Sequence, residues 1–436
     1  MGSLGKTTSR LRIALVAPPM KSVPPVGYGG TERVVAALAD GLHARGHDVT
    51  LFASGDSTAS GTLEPLAPVA LWDAGYRGDV SAYMQLAAAR IGREADRFDI
   101  VHSHLEYHGF LLARNARTPI VSTLHGRLDA CGLPELLNEF RDIPLVAISE
   151  NQRRWAPDNN WVATIHHGLP LDAMPHRSSP GEYLAVVGRI SPEKGLVEAI
   201  ELARRSGMRL RIAAKLHRPE EHAMFESDVR PAIDDGTAEF LGELEAEQRD
   251  PLLAGAFATL MLGAWPEPFG LVAIESLAAG TPVIARRAGA LPEIIEPGVD
   301  GFIVDDLLEA ELALTRIAAL DRRLIRERAL ERFSTGRMVL DYEAVYAAVI
   351  ESRNRERLTI PVMVPVSAAA PTSVALPTLA SPSVAALPVS AVNAGERNGG
   401  QSELRESRAR QQAAASVAER PRDRNGSVPI WHEDRR

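Results

Sequence analysis

Short apolar runs rich in β-branched residues alternate with longer segments of helical periodicity along most of this chain. The first half contains RIALVAP, DVTLFAS, DIVHSH, IVSTLHG, LVAIS and WVATIHHG, and the second contains YLAVVGR, RLRIAAK, AEFLG, FATLML, PVIAR and GFIVD. Between them lie stretches such as TERVVAALADGLHARG, in which apolar residues recur every three or four positions. Strands that are apolar on both faces belong in parallel sheets covered by helices. The sequence therefore predicts an α/β fold.

The alternation is interrupted once, over residues 169–183, by the Pro-, Ser- and Gly-containing stretch LPLDAMPHRSSPGEY. This interruption predicts two Rossmann-like, doubly wound domains that face a central cleft, formed by residues 1–170 and residues 171–356. The second domain ends in a closing helix. Residues 357–436 are rich first in Ala, Pro and Ser and then in Arg and Glu, without a periodic apolar face, and are predicted to be a disordered tail.

The composition restricts the partners of the protein. The formal net charge is −8 over 436 residues, so no nucleic-acid partner is expected and any membrane contact is at most peripheral. The single cysteine, Cys131, cannot form an internal disulfide, which is typical of a reducing compartment. The apolar run LRIALVAPP is too short for a secretory signal or a membrane span. A cytoplasmic protein is predicted.

The segment EPFGLVAIE, residues 267–275, carries the strongest indication of a binding site. Pro268 is suited to opening a helix, and residues 269–271 would then form a first turn whose unpaired amides favour an anion. Glu267 and Glu275 would lie ~12 Å apart along such a helix. This spacing fits a nucleotide sugar, which has hydroxyl groups at both ends and a diphosphate between them. The alternative is an ordinary amphipathic helix with surface glutamates.

A second segment, VVGRISPEKGLVEAI, ends an apolar strand and begins a helix near Gly195. Its cations, Arg189 and Lys194, would point into the same crevice if the sheet is parallel. Two fixed positive charges would stabilise a diphosphate leaving group without a metal. Alternatively, Glu193 and Lys194 form a solvated pair in the first turn.

A third segment, PPVGYGGTERVVAAL, joins the first strand to the first helix. Gly27, Gly29 and Gly30 allow the backbone to bring amides to the start of the helix. Their spacing departs from the G-x-G-x-x-G fingerprint, which disfavours a nicotinamide-dependent dehydrogenase.

Histidines cluster where the predicted strands end. His102 and His104 lie in VHSHLEYH, His125 in STLHG, and His167 in TIHHG. His125, which precedes a glycine at a strand terminus, is the best candidate for a substrate contact. Neither a matching cysteine pair nor an H-E-x-x-H sequence accompanies these histidines, so no metal site is predicted.

Taken together, these segments resemble the retaining, nucleotide-sugar-dependent glycosyltransferases of family four, which have the GT-B fold. The resemblance covers roughly residues 11–350 and is carried by EPFGLVAIE, GRISPEKG, GYGGTE and the strand-end LHG. The chain departs from the family at His167, where an asparagine is usual, and at Lys215, where a small residue is common. The site residues that the resemblance implies are Arg189 and Lys194 for the donor diphosphate, Glu267 with the amides of Phe269, Gly270 and Leu271 for the transferred hexose, Glu275 for the ribose, His125 for the reacting sugar, and Gly27, Gly29 and Gly30 for the phosphate and acceptor loop.

The resemblance also implies a mechanism. A hexosyl group would move from a UDP- or GDP-activated sugar to a hydroxyl of a saccharide, lipid-linked or small-molecule acceptor, on one face of the sugar and without a metal or other cofactor. Glu267 would not act as a nucleophile. Two alternatives stay open: a GT-B sugar-nucleotide epimerase or hydrolase, and a catalytically silent protein that binds sugar nucleotides.

Overall fold

Each half of the chain folds around its own parallel β-sheet. The computed structural model describes residues 10–359, and the predicted tail from residue 360 onward lies outside the described residues. We call the first sheet and its helices the N-lobe, and the second sheet and its helices the C-lobe. The strands are β1 (Arg12–Val16), β2 (Asp48–Ser54), β3 (Thr62–Ala67), β4 (Ile100–Ser103), β5 (Ile120–Thr123), β6 (Leu145–Ala147), β7 (Trp161–Thr164), β8 (Tyr183–Arg189), β9 (Arg209–Lys215), β10 (Ala238–Gly242), β11 (Ala258–Met261), β12 (Val283–Arg286) and β13 (Gly301–Val304).

Helices connect most of the successive strands, although β2 and β3 are joined by a loop alone, and they cover both sheets. A π-helical turn, Phe225–Val229, lies between two of them. The helices are α1 (Gly30–Ala44), α2 (Val80–Glu94), α3 (Phe110–Asn115), α4 (Leu133–Glu139), α5 (Glu150–Arg153), α6 (Leu196–Ser206), α7 (Pro219–Met224), α8 (Arg230–Asp234), α9 (Ala246–Gly255), α10 (Leu271–Ala278), α11 (Leu291–Ile294), α12 (Leu307–Ile317), α13 (Arg322–Phe333) and α14 (Thr335–Thr359).

Both sheets have the strand order of a doubly wound fold. The order is β3-β2-β1-β4-β5-β6-β7 in the N-lobe and β10-β9-β8-β11-β12-β13 in the C-lobe, and every pairing between these strands is parallel. The order reverses direction between β1 and β4 and again between β8 and β11. In such sheets ligands bind outside the carboxyl ends of the strands at the reversal. The fold predicted from the sequence is therefore confirmed.

Twelve of the thirteen strands coincide with the apolar runs of the sequence, and β3 is the exception. It pairs with β2 alone, at the edge of the N-lobe sheet. Its residues are mostly half-buried or exposed, and it contains Glu64 and Pro65. A proline is tolerated at an edge because one side of the strand needs no ladder hydrogen bonds. The apolar pattern of a buried strand is therefore missing here.

The chain crosses between the lobes at two adjacent points. Leu169 forms a bridge with Ser334, and its amide donates to the carbonyl of Phe333 at 3.0 Å. Beyond the second crossing, α14 packs on α1 and on the N-lobe sheet. Tyr342 and Tyr346 of this helix are fully buried. The closing helix predicted from the sequence thus contacts the first lobe, while the predicted domain boundaries stay a prediction.

Candidate active site

A cleft of about 820 Å³ lies between the lobes and is lined by residues of both. Its walls come from the loops that follow β1, β8 and β11, which are the loops at the two strand-order reversals. All eleven site residues predicted from the sequence line this cleft: Arg189, Lys194, Glu267, His125, Phe269, Gly270, Leu271, Glu275, Gly27, Gly29 and Gly30. The fold thus brings together segments that lie more than 200 positions apart.

The helix within EPFGLVAIE begins later than the sequence predicted. It starts at Leu271, whereas Glu267 lies in the preceding loop, so the expected rise of two helical turns between the glutamates is wrong. Gly270 is the reason, because its φ of +106° is a conformation that side chains other than hydrogen rarely allow. Phe269 is buried rather than helical, and its ring packs edge-on against that of His167 at a centroid distance of 4.8 Å.

The N-termini of α1 and α10 face each other across the cleft. A Cβ atom on Gly30, the first residue of α1, would lie 3.4 Å from the side chain of Leu271, the first residue of α10. Unpaired backbone amides and the helix dipoles make such helix starts favourable for negative charge. Two helix starts therefore converge where the sequence predicted a diphosphate.

Lys194 and Glu267 form an ion pair inside the C-lobe wall of the cleft. Lys194 ends a short 3₁₀ turn, and Gly195 follows with a φ of +72° and caps α6. A Cβ atom on Gly195 would lie only 2.3 Å from the backbone nitrogen of Gly263. The two loops thus touch backbone to backbone, and this contact fixes the lysine beside the glutamate.

Arg189 and Lys215 lie side by side at the carboxyl ends of β8 and β9, where they are register partners. Arg189 is 3.7 Å from Glu193, and Lys215 is 3.9 Å from Glu243. Both contacts are longer than a charge-assisted hydrogen bond, which measures about 2.7–2.9 Å. These cations therefore keep part of their capacity to bind an anion.

Glu275 is 1% exposed and forms ion pairs with two arginines. Arg249 of α9 approaches at 2.9 Å, and Arg33 of α1 reaches across from the N-lobe. Burial lowers the pKa of Arg249, but Glu275 and Asp250 outweigh burial and raise it overall. A buried carboxylate stays ionised only when it is paired in this way.

Sequence reasoning missed both arginines. Arg33 lies three positions after the last glycine of the glycine loop. The helical pattern of this segment predicts that it lies on the surface. Arg249 belongs to no motif. The packing of α9 against α10 brings Arg249 to the site, and the packing of the two lobes brings Arg33 there.

His125 lies half-buried at the N-lobe side of the cleft, among other histidines. Its Nε2 atom is 2.8 Å from Nδ1 of His104, and its ring stacks on that of His167 at 5.2 Å. The ring of His104 in turn contacts His102 at 4.1 Å. We call these four residues the histidine cluster.

Burial holds the histidine cluster neutral. It lowers the pKa of His102 and of His125 to about 3, and it lowers the pKa of His104 and His167 well below the usual value. Glu106 accepts the backbone N–H of His125 at 2.9 Å, and burial raises its pKa to about 7. A neutral imidazole at the cleft can accept or share a hydrogen bond with a sugar hydroxyl.

The part of the chain that the structure describes shows neither a metal-binding cluster nor a membrane-spanning helix. Within residues 10–359, no group of three or more histidine, cysteine, aspartate and glutamate side chains has the arrangement of a metal site. The helices of the same range include none with the length and apolar character needed to cross a bilayer.

Comparisons with known proteins give the site its context. Residues 28–168 match the model of Glycosyltransferase Family 4, and residues 175–332 match that of Glycosyl transferases group 1. A D-inositol 3-phosphate glycosyltransferase of Mycolicibacterium smegmatis is 27% identical over 348 residues, which cover 67% of this chain and 79% of the relative. A glycogen synthase of Mycobacterium tuberculosis is 25% identical over 402 residues, which cover 78% of this chain and 96% of the relative.

Solved structures share the fold. AviGT4, a glycosyltransferase involved in avilamycin A biosynthesis, matches with a TM-score of 0.60 and 25% identity over 78% of this chain and 98% of its own. HepE of Anabaena, solved in complex with UDP and glucose, matches with a TM-score of 0.61 and 17% identity over 78% of this chain and 100% of its own. The two matched models lie in succession, one on each lobe, and between them carry all but one of the residues of the cleft that the sequence predicted, the exception being Gly27. The chain therefore belongs to the family-four-like glycosyltransferases with the GT-B fold.

Proposed function

We propose that this protein is a retaining hexosyltransferase that moves a hexose from a UDP- or GDP-activated sugar to an acceptor hydroxyl without a metal. The observation that carries the proposal is the meeting of Arg189, Lys194 and Glu267 with the start of α10 in one cleft. Cations, a helix start and a carboxylate are the groups that a sugar diphosphate needs. A cytoplasmic location accords with this substrate and stays part of the proposal.

The diphosphate would lie between the start of α10 and the two cations. Lys194 now pairs with Glu267, so a bound donor would exchange this partner for a phosphate oxygen. Glu267 would then be free to accept a hydrogen bond from a hydroxyl of the hexose. Before the donor binds, the ion pair keeps both side chains at the positions where the phosphate and the hexose would meet them.

The ribose would bind beside Glu275. Its carboxylate is fixed by Arg33 and Arg249 and lines the same cleft. Ribose hydroxyls would donate to it while the arginines stay in contact. The distance between the carboxylates of Glu267 and Glu275 would then match the separation between the sugar and nucleoside ends of the donor.

The transfer would take place on one face of the hexose. The bond between the anomeric carbon and the phosphate oxygen breaks, and a bond to the acceptor oxygen forms on the same side. The acceptor proton passes to the departing phosphate oxygen. Arg189 and Lys194 stabilise the charge that develops on the diphosphate, and His125 orients the hexose, so no protein nucleophile takes part.

The first experiment measures the rise in melting temperature with UDP, GDP, ADP and their sugar conjugates. The conjugate that binds is then incubated with candidate acceptors with and without EDTA, and the anomeric configuration of the product is read by NMR. We expect a retained configuration and an unchanged rate with EDTA. An inverted product would refute the mechanism, and loss of activity with EDTA would refute metal independence.

The same experiment separates the alternatives. Donor binding without turnover on any acceptor would favour a silent binding protein. Turnover of the donor alone to an epimer or a free sugar would favour the epimerase or hydrolase.

A further inference from the structure

One part of the N-lobe lining of the cleft carries none of the predicted motifs. Lys21 and Trp72 line it together with Val80 and Met84 of α2. The loop after β1 and the loop after β3 are joined here, since the amide of Trp72 donates to the carbonyl of Met20 at 3.0 Å. This backbone contact places the lysine and the tryptophan beside each other.

The positive charge of Lys21 is already balanced within the protein. Its Nζ atom donates to Oδ1 of Asp73 at 2.8 Å, and its side chain is only 11% exposed. Glu32, a second acid, lines the cleft nearby and is buried. Burial raises the pKa of Glu32, Lys21 counteracts this rise, and Asp73 adds to it, so the three groups are electrostatically coupled.

Trp72 is an aromatic side chain that the protein leaves half open. It is 47% exposed although it lines a concave site. An exposed ring next to apolar side chains offers a flat face for stacking, with a few polar groups to orient the ligand. The C–H face of a sugar or cyclic polyol matches such a surface, and its hydroxyls match the Lys21–Asp73 pair.

The other cations of the cleft are placed elsewhere. Arg189, Lys194, Lys215 and Arg249 belong to the C-lobe wall, where the donor diphosphate is proposed to bind. Within the described residues, the other lysine or arginine on the N-lobe wall of the cleft is Arg33, which pairs with Glu275. A phosphate beside Trp72 would therefore meet one lysine whose charge Asp73 already balances, with the acid Glu32 in the same lining.

We propose that Trp72 and Lys21 form the acceptor subsite, with Asp73 neutralising the lysine, and that it takes an uncharged, hydroxyl-rich group rather than a phosphorylated one. The proposal rests on the proposed transferase function, because it assigns the second substrate of the same cleft. It commits to a sugar or cyclic polyol that stacks on Trp72 and hydrogen bonds to the Lys21–Asp73 pair.

The test uses matched pairs of probes on the full chain saturated with UDP or GDP, whichever binds. The pairs are glucose and glucose 6-phosphate, mannose and mannose 6-phosphate, and myo-inositol and its 3-phosphate. Binding is measured by saturation-transfer NMR and titration. We expect the neutral member of at least one pair to bind more tightly than its phosphate, and Trp72→Ala to weaken it by about ten-fold or more.

Two variants and a control sharpen the result. Trp72→Phe, which keeps an aromatic face, should restore most of the affinity. Asp73→Asn removes the charge that balances Lys21 and should shift the preference toward the phosphorylated member by about ten-fold. Trp155→Ala removes a tryptophan that is 49% exposed and lies outside the cleft lining, and it should leave probe affinity unchanged.

The outcomes divide clearly. Tighter binding of the phosphorylated members to the wild-type protein would overturn the proposal, as would the absence of binding by every neutral probe. Equal loss of affinity in Trp72→Ala and Trp155→Ala would also overturn it. Failure of the wild-type protein to bind any nucleotide would instead count against the proposed function, so the two failures are distinguishable.

Discussion

Gly195→Ala tests whether the contact between two backbone loops is what positions Lys194 for catalysis. Gly207 offers a matched control, because both glycines cap the same helix, α6, and both have a left-handed conformation, with φ of +72° and +66°. They differ in their surroundings. A Cβ atom on Gly207 meets open space, whereas one on Gly195 would lie 2.3 Å from the nitrogen of Gly263.

Both substitutions carry the same conformational cost, and Gly195→Ala carries a steric cost in addition. An alanine in the left-handed region costs about 1–2 kcal/mol at either position. At Gly195 the loop must also move, since real Cβ contacts are essentially never below 3.0 Å. Moving Lys194 by roughly 1 Å relative to Glu267 and the diphosphate can cost about 100-fold in rate, or about 2.7 kcal/mol.

The assay compares melting temperature with kcat/KM on the donor identified by the nucleotide screen. Both variants should melt a few degrees below the wild type. Gly207→Ala should keep its activity within about two-fold, and Gly195→Ala should lose about 100-fold. If Gly195→Ala stays within a few-fold of Gly207→Ala while both remain folded, the loop contact does not position the lysine and the reasoning is refuted.

Three further predictions concern charge. Lys194→Ala should lower kcat by about 100- to 1,000-fold, because the leaving diphosphate loses a cation. The control Arg209→Ala removes an exposed cation of the same lobe and should leave kcat unchanged. Equal losses of kcat in the two variants would argue against the assigned pocket. Glu275→Gln should weaken the affinity for UDP or GDP in calorimetry by about ten-fold, through weaker acceptance of ribose hydroxyls, and an unchanged affinity would exclude the ribose role. Acidification from pH 6.5 to 5.5 should cost about 1 kcal/mol of unfolding free energy for each residue of the histidine cluster, since the unfolded chain takes up protons that the native cluster refuses. The raised pKa values of Glu106 and Glu32 work in the opposite direction over this window, so the net loss in chemical denaturation should be smaller than the sum for the four histidines, and a constant stability would contradict the burial of the cluster.

The sheets could be predicted from the sequence because a buried parallel strand must be apolar on both faces. The runs DVTLFAS, YLAVVGR, RLRIAAK and AEFLG coincide with β2, β8, β9 and β10 from end to end. The edge strand β3 escaped this reasoning because its residues are mostly half-buried or exposed and include Glu64 and Pro65, which an edge position tolerates. An apolar run in the sequence thus identifies a strand, and a strand such as β3 that has no apolar run is missed.

The start of α10 could not be predicted because it depends on one backbone conformation. Pro268 is a good first residue for a helix, but Gly270 adopts a positive φ and delays the helix to Leu271. A Cβ atom on Gly270 would lie 3.0 Å from the side chain of Leu291. The close packing of this loop against α11 is a tertiary contact, and local propensity carries no information about it.

The ion pairs of the site show most clearly which contacts a sequence motif does not predict. In the sequence, Glu275 is one acid at the end of a motif, which by itself fits a surface residue of an amphipathic helix and indicates no partner. In the fold its carboxylate pairs with Arg33 of the opposite lobe as well as with Arg249 of its own. A hydroxyl of a bound nucleotide must therefore share this carboxylate with the contact that joins the two lobes. Donor affinity and lobe contact then depend on the same atoms, so a change at Arg33 in α1, on the opposite lobe, should alter nucleotide affinity.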